Sequence, residues 1–283
     1  MRHTKSLTAD AIVQPFVVFT DLDGTLLDHD TYDWRPAEST LQQLKRREIP
    51  VVLISSKTLA ELAVYRQDIG FQDPVVAENG AAIDVPPDYF TLPCDFHKTV
   101  VSRDALQREF VELRRECDVS CSAFFELGTE GIVRATGLTP AQAELANQRD
   151  ASEPVLWQDT PEALTTFCDR AEQAGLRCLR GGRFVHLMGQ TDKVDAMTSL
   201  LAAYRQEWSS NSVTSVALGD SPNDLGMLQA ADIAVVIPAH HDVAMDLPGH
   251  ANVLRPSQRG PEGWRTAMQT ILSTLDTETE NLG

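Results

Sequence analysis

The chain has 283 residues, enough for roughly two units at about 150 residues each and for a full core without disulfide staples. Hydrophobic residues at 42% and charged residues at 23% exclude a disordered or fibrous chain. Against 24 Lys+Arg stand 41 Asp+Glu, a formal charge of −17 whose field repels nucleic-acid phosphates and anionic bilayers, so neither is expected as a partner.

Phe16-Val17-Val18-Phe19-Thr20 is a mainly apolar run ending at Asp21, the pattern of a strand buried in a parallel sheet. A helix is predicted over Pro36 to Glu48, then a second buried strand, Val51 to Ile54, ending at Ser55-Ser56-Lys57. Helix Thr58 to Ile69 closes on Gly70, and Pro74 to Ala77 is a third strand. This alternation implies a parallel sheet with right-handed crossovers. Asn79-Gly80 then reads as a hairpin turn.

From Pro86-Pro87 the rhythm changes. Helices are predicted over Ser102 to Cys117 and Thr160 to Ala174, with a shorter one starting at Thr139-Pro140. Strands are predicted near Val155 to Trp157, Leu176 to Leu179 and Phe184 to Leu187, the last two joined by a Gly181-Gly182 turn. After Asp192 the α/β rhythm resumes: helix Val194 to Trp208, strand Val213 to Leu218, helix Pro222 to Ala230, strand Ile233 to Ile237 and a helix over Pro261 to Leu275. The polar tail from Asp276 is expected to fray. The expected fold is α/β: a Rossmann-like parallel-sheet core over 1–85 and 190–283, with an α+β module inserted over 86–189.

The five cysteines form no C-x-x-C pair and read as free thiols. Met1 to Gln14 has no apolar stretch of signal-peptide length, and no apolar run approaches the roughly 18 residues of a membrane span. A soluble, cytoplasmic protein is expected.

Three clusters fall at the C-terminal ends of predicted strands, where open α/β sheets bind ligands. They are Asp21-Leu22-Asp23-Gly24-Thr25, Ser55-Ser56-Lys57 and Gly219-Asp220-Ser221-Pro222-Asn223-Asp224. Two like charges about 4 Å apart repel by about 4 kcal/mol at an effective dielectric of about 20. Four converging carboxylates (Asp21, Asp23, Asp220, Asp224) therefore call for protonation or a cation, and oxygen-only ligands favour Mg²⁺. A calcium loop starting at Asp21 is excluded, because its sixth position is Leu26 rather than Gly and its twelfth Tyr32 rather than Glu. His186, between Val185 and Leu187, reads as structural, and His240-His241 as an exposed loop pair.

The series Asp21-Leu22-Asp23-Gly24-Thr25-Leu26, Ser55, Lys193 and Gly219-Asp220-Ser221-Pro222-Asn223-Asp224 resembles the four motifs of the haloacid dehalogenase superfamily of phosphatases. Ser55-Ser56-Lys57-Thr58, Ala77-Glu78-Asn79-Gly80, Arg149-Asp150-Ala151-Ser152-Glu153-Pro154, Gly181-Gly182-Arg183-Phe184-Val185-His186 and Gly260-Pro261-Glu262-Gly263-Trp264 are similar to signatures of its mannosyl-3-phosphoglycerate phosphatase family. The resemblance implies an aspartyl-phosphate mechanism with Asp21 as nucleophile and Asp23 as general acid and base. It implies Mg²⁺ on the Asp21 carboxylate, the Asp23 carbonyl and Asp220, with Asp224 orienting the metal's waters. The Leu22 backbone, Ser55 and Lys193 would hold the phosphoryl group, and the inserted module would be a cap. In that cap region and beside it, Lys57, Arg149 and Arg183 are candidates for a carboxylate or sugar, and Ser152 and Glu153 for sugar hydroxyls. The implied partner is a small phosphorylated sugar acid. A broader sugar-phosphate phosphatase, a phosphomutase and a non-catalytic sugar-phosphate sensor are the competing readings.

Overall fold

The computed structural model describes residues 15–94, 96, 101–180, 184–240 and 245–281, with the backbone alone for 275–281. Two sheets organise these residues. The larger has seven strands: β1 (Phe16–Thr20), β2 (Val51–Ile54), β3 (Val75–Ala77), β4 (Ala82–Asp84), β9 (Thr214–Gly219), β10 (Ile233–Val236) and β11 (Val253–Leu254). Their order is β11-β10-β9-β1-β2-β3-β4, parallel throughout except for β4, which pairs antiparallel with β3. The hairpin expected at Asn79-Gly80 joins that last pair. A strand packed on both faces by helices should be apolar without alternation, and all five residues of β1 are buried.

Alternate residues of β1 feed opposite cores. Val18 packs with Leu41 and Leu44 of α1 (Glu38–Arg46), Leu62 of α2 (Leu59–Ile69) and Met268 and Ile271 of the helix Gly260–Asn281. Val17 and Phe19 pack with Met197 and Leu200 of the helix Lys193–Glu207 and with Met227 and Leu228 of the helix Leu225–Ala230.

The smaller sheet lies between these halves of the chain: β5 (Cys121–Ala123), β6 (Ser152–Trp157), β7 (Arg177–Arg180) and β8 (Val185–Met188), in the antiparallel order β5-β6-β8-β7. Its core joins Val155 and Leu187 to Leu106 and Phe110 of α3 (Arg103–Cys117) and to Phe167 of the helix Pro161–Gln173.

The structure departs from the sequence reading in three places, the first being the short edge strand β11, which was not expected. The helix α4 (Phe124–Thr136) and the strand β5 before it were not expected. Gly128 interrupts α4 at φ 57°, ψ −178°, which breaks the helical periodicity of the segment. The final helix also continues through the polar tail to Asn281, where fraying was expected. In chain order the remaining helices are α5 (Pro140–Ala146), α6 (Pro161–Gln173), α7 (Lys193–Glu207), α8 (Leu225–Ala230) and α9 (Gly260–Asn281). Among the described residues, no helix is long and apolar enough to cross a membrane. All five cysteines are free thiols.

Trp264 of α9 is fully buried, and its indole N–H donates to Thr20 Oγ1 at 3.0 Å, pinning the end of β1 from behind. Truncating it leaves a large cavity and an unfilled polar partner. Trp264→Ala should cost about 3–5 kcal/mol, read as a lower urea midpoint with an unchanged m value.

Candidate active site

The site lies at the C-terminal end of the large sheet, where β1 and β9 release their chains side by side. Asp21 follows β1, and its N–H donates to the Leu218 carbonyl of β9 at 2.9 Å. The loop then turns back on itself: Thr25 and Leu27 N–H both donate to the Leu22 carbonyl, at 3.0 and 2.8 Å. Gly24 makes the turn possible. Its φ is +80°, and a Cβ there would lie 2.4 Å from Asp220 Oδ2.

Oxygens of Asp21, Asp220 and Asp224 lie within 4.8 Å of one another. Lys193, the first residue of α7, bridges two of them, with Nζ 2.6 Å from Asp21 Oδ1 and 2.7 Å from Asp224 Oδ1. Burial opposes the ammonium charge, but the two carboxylates outweigh it and hold the Lys193 pKa above the usual lysine range. The other oxygen of Asp224 accepts from the N–H groups of Asp220 and Ser221, both at 3.1 Å. Asp224 is thus committed to protein donors on both sides. Asp220 is held by Thr25, whose Oγ1 donates to Oδ1 at 3.3 Å.

Burial is the largest influence on both remaining acids. It raises Asp21 to about 7, with Lys193 opposing and Asp224 assisting. It raises Asp220 to about 8, assisted by the charges of Asp21 and Asp224. The cluster is therefore short of positive charge.

Asp23 faces the cavity and pairs with Lys57, whose Nζ is 2.9 Å from Asp23 Oδ1 and 3.9 Å from Glu61 Oε1. These acids outweigh burial and raise the Lys57 pKa. The Lys57 ammonium also sits over the rings of Tyr32 and Tyr65, at 5.0 and 5.7 Å. Glu61 closes a capping box with Thr58 at the start of α2, so local helix capping also places an acid beside Lys57.

One cavity gathers Asp21, Asp23, Lys57, Arg149 and Asp220 from the expected set. Ser55 and Lys193 lie buried beneath it, and Ser55 Oγ accepts from the Lys57 N–H at 3.2 Å. Arg149 arrives from the other sheet's side, donating through Nη1 to the Ser56 carbonyl at 3.1 Å and through Nε to the Ala146 carbonyl at 3.0 Å. Ser152 and Glu153 are fully buried at the root of β6. Glu153 accepts from Arg103 Nε at 2.9 Å and the Phe125 N–H at 3.0 Å, and so braces its own unit. Arg183 lies outside the described residues.

The cavity also holds Tyr32, Glu61 and Phe124, which sequence reasoning passed over, and Phe184 and Asn223, which it quoted within motifs without giving them a role. The structural reading of His186 needs amendment, because it too lines the cavity, with a buried Nδ1 lacking a protein partner. Burial and the nearby Arg149 and Lys193 charges lower its pKa to about 3, so it is neutral at physiological pH. His240 stacks on His29 at 4.5 Å, and His241 lies outside the described residues.

Comparison with known proteins agrees with this architecture. Residues 18–110 match the family model of haloacid dehalogenase-like hydrolases. A glucosyl-3-phosphoglycerate/mannosyl-3-phosphoglycerate phosphatase of Methanococcoides burtonii is 34% identical over 268 residues, spanning 90% of this chain and 97% of that protein. Two solved structures share the fold. A phosphatase of the haloalkanoate enzyme superfamily from Bacteroides thetaiotaomicron superposes with a TM-score of 0.65 at 18% identity, over 95% of this chain and 99% of its own. The sucrose-phosphatase of Synechocystis, solved with sucrose and phosphate, gives 0.62 at 15% identity, over 91% and 98%. With a relative this similar across nearly its whole length, and with paired aspartates at the end of β1, the chain belongs to the haloacid dehalogenase-like hydrolases.

Proposed function

We propose that the protein is a phosphomonoesterase that releases phosphate from a glycosyl-3-phosphoglycerate, with mannosyl-3-phosphoglycerate as the leading substrate. The observation that carries this reading is the pairing at the end of β1: Asp21 clamped by Lys193, and Asp23 turned into the same cavity by Lys57. The substrate class comes from the Methanococcoides relative's name and from the cations at the cavity, Lys57 and Arg149, which suit a carboxylate on a phosphorylated sugar acid.

In this reading an Asp21 carboxylate oxygen attacks phosphorus, forming an O–P bond as the ester P–O bond breaks. Asp23 supplies the proton that the leaving alkoxide needs. It then takes a proton from a water that attacks the aspartyl-phosphate, regenerating Asp21 and freeing inorganic phosphate. Lys193 spreads its charge over the reacting end of Asp21, and the Leu22 backbone and Ser55 are the proposed phosphoryl contacts. The unit over 86–189 acts as a cap that shields the reaction from bulk water. Lys57, Arg149 and Arg183 are proposed to read the rest of the substrate; Ser152 and Glu153, fully buried and hydrogen-bonded within the protein, support that wall rather than touch the sugar.

The donor set fits Mg²⁺. It is all oxygen, buried and charge-deficient, and Gly24 leaves Asp220 room that any Cβ would fill. Asp21, Asp220 and the Asp23 carbonyl would hold the ion and Asp224 would steady its waters. When bound, the ion supplies positive charge to the phosphoryl oxygens.

Phosphate release measured over a panel of sugar phosphates, including both glycosyl-3-phosphoglycerates, tests the reading; turnover of neither would overturn it. Asp21→Asn should lower kcat by about 10³-fold or more with the fold intact by circular dichroism. Asp23→Ala should cost about 10²–10⁴-fold.

The metal-free chain should also reveal its charge conflict thermally. With folded pKa values of about 7 for Asp21 and about 8 for Asp220, against 3.8 ordinarily, the folded state holds more protons than the unfolded state near neutrality. Stability must then fall as pH rises from 6.5 to about 8.5, by up to about 1.4 kcal/mol per pH unit for each group. The ordinary histidine charge change is half complete at about pH 6.5 and over by about pH 7.5, so His186 offsets only the first part of this decline. Melting curves in chelator should show the decline, and saturating Mg²⁺ should abolish it.

A further inference from the structure

Glu78 is a buried acid that the proposed chemistry does not use. It sits at the end of β3 with 1% exposure. Its carboxylate leaves the large sheet's own unit: Oε1 accepts from the Asp150 N–H at 2.8 Å, and Oε2 from the Ala151 N–H at 3.2 Å and from Ser152 Oγ at 2.5 Å. Two further hydrogen bonds cross nearby, from Arg149 Nη1 to the Ser56 carbonyl and from Thr58 Oγ1 to the Leu145 carbonyl at 2.9 Å. Ser152 relays the contact, since its hydroxyl also accepts from Arg149 Nη1 at 2.9 Å. The Glu78 carboxylate thereby fixes the segment that carries Arg149 into the cavity.

The backbone that presents Glu78 is strained. Glu78, Asn79 and Gly80 have φ values of 49°, 55° and 99°, a left-handed run in which two residues are not glycine. Such conformations persist where surroundings over-determine them, and they concentrate at working sites. Here the surroundings are the catalytic loops. Glu78 N–H donates to the Lys57 carbonyl and Asn79 N–H to the Ser55 carbonyl, both at 2.9 Å. Asn79 Oδ1 accepts from Asn223 Nδ2 at 3.2 Å. A Cβ on Gly80 would lie 2.0 Å from the Asp192 carbonyl, one residue before Lys193.

We infer that Glu78 is a positioning residue that latches the 149–152 segment to the catalytic loops, so that Arg149 meets the substrate only when the two units are seated together. This rests on the phosphatase reading for its consequence, though not for the latch itself. Two of the three donors are backbone N–H groups, so the latch reads the shape of the 150–152 backbone more than its side chains. A carboxylate with hydrogen-bonded backbone donors exchanges them for water on opening, which makes the contact reversible.

Glu78→Gln keeps the shape and removes the charge. Hydrogen bonds to charged groups weaken enough on such a change for about a tenfold loss or more. Amide hydrogen exchange at Asp150 and Ala151 should accelerate by about that factor. KM for the glycosyl-phosphoglycerate should rise similarly, while kcat for p-nitrophenyl phosphate, which has nothing for Arg149 to hold, should stay within about twofold. Unchanged exchange at 150–152, or an equal fall in kcat for both substrates, overturns the latch. Should the wild type hydrolyse neither ester, the phosphatase reading fails, and exchange still decides the latch. Ser152→Ala, which removes one of the three donors, should accelerate exchange less than Glu78→Gln. If Glu78→Gln does not fold, unchanged exchange in Ser152→Ala overturns the proposal.

Discussion

Lys193 carries a full charge to a place with 1% exposure, where it is tolerated because carboxylates 2.6 and 2.7 Å away answer it. Those partners come from far apart: Asp21 follows β1, Asp224 ends the short 3-10 helix after β9, and Lys193 opens α7. Removing one member of a buried ion cluster costs several kcal/mol because the others are left uncompensated. The geometry around Asp21 is therefore enforced by solvation energy as much as by packing. Asp192 caps the same helix end, accepting from the N–H groups of Val194 and Asp195, so α7 begins where the ammonium is needed.

The overall acidity and the local charge act on different length scales. A net charge of −17 governs approach from a distance and is screened by salt over about 10 Å. Inside the cavity the balance is set by single groups. Lys57 sits among Asp23, Glu61 and two tyrosine rings, and Arg149 is held by the Ala146 and Ser56 carbonyls and Ser152. A molecule that repels polyanions from a distance can thus still hold two cations, Lys57 and Arg149, in a cavity whose acids outnumber them.

How much could be read beforehand depended on how local the information was. The apolar run before Asp21 and the capping signals around Thr58 and Gly70 are contained in a few residues, and the strands and helices they mark are found in place. Helix α4 was hidden by Gly128, whose extended ψ interrupts the pattern that periodicity relies on. Glu78 was hidden for another reason. Ala77-Glu78-Asn79-Gly80 shows a turn, but nothing local says that the acid will find its donors more than 70 residues away. Nor does a strand sequence say which side faces a ligand. Glu153 turned to Arg103 and Phe125, and His186 turned to the cavity.

The pairing of β1 with β9, from Phe16↔Thr214 to Thr20↔Leu218, joins positions 198 residues apart. On a ribosome adding about 5–20 residues per second, β1 waits roughly 10–40 s for this neighbour. Through that interval one edge of an apolar strand stays unpaired, a template for wrong partners. Non-local parallel pairing of this kind is slow even once the chain is complete. The aspartate at the end of β1 is made 172 residues ahead of the lysine that holds it, and β9 follows later still.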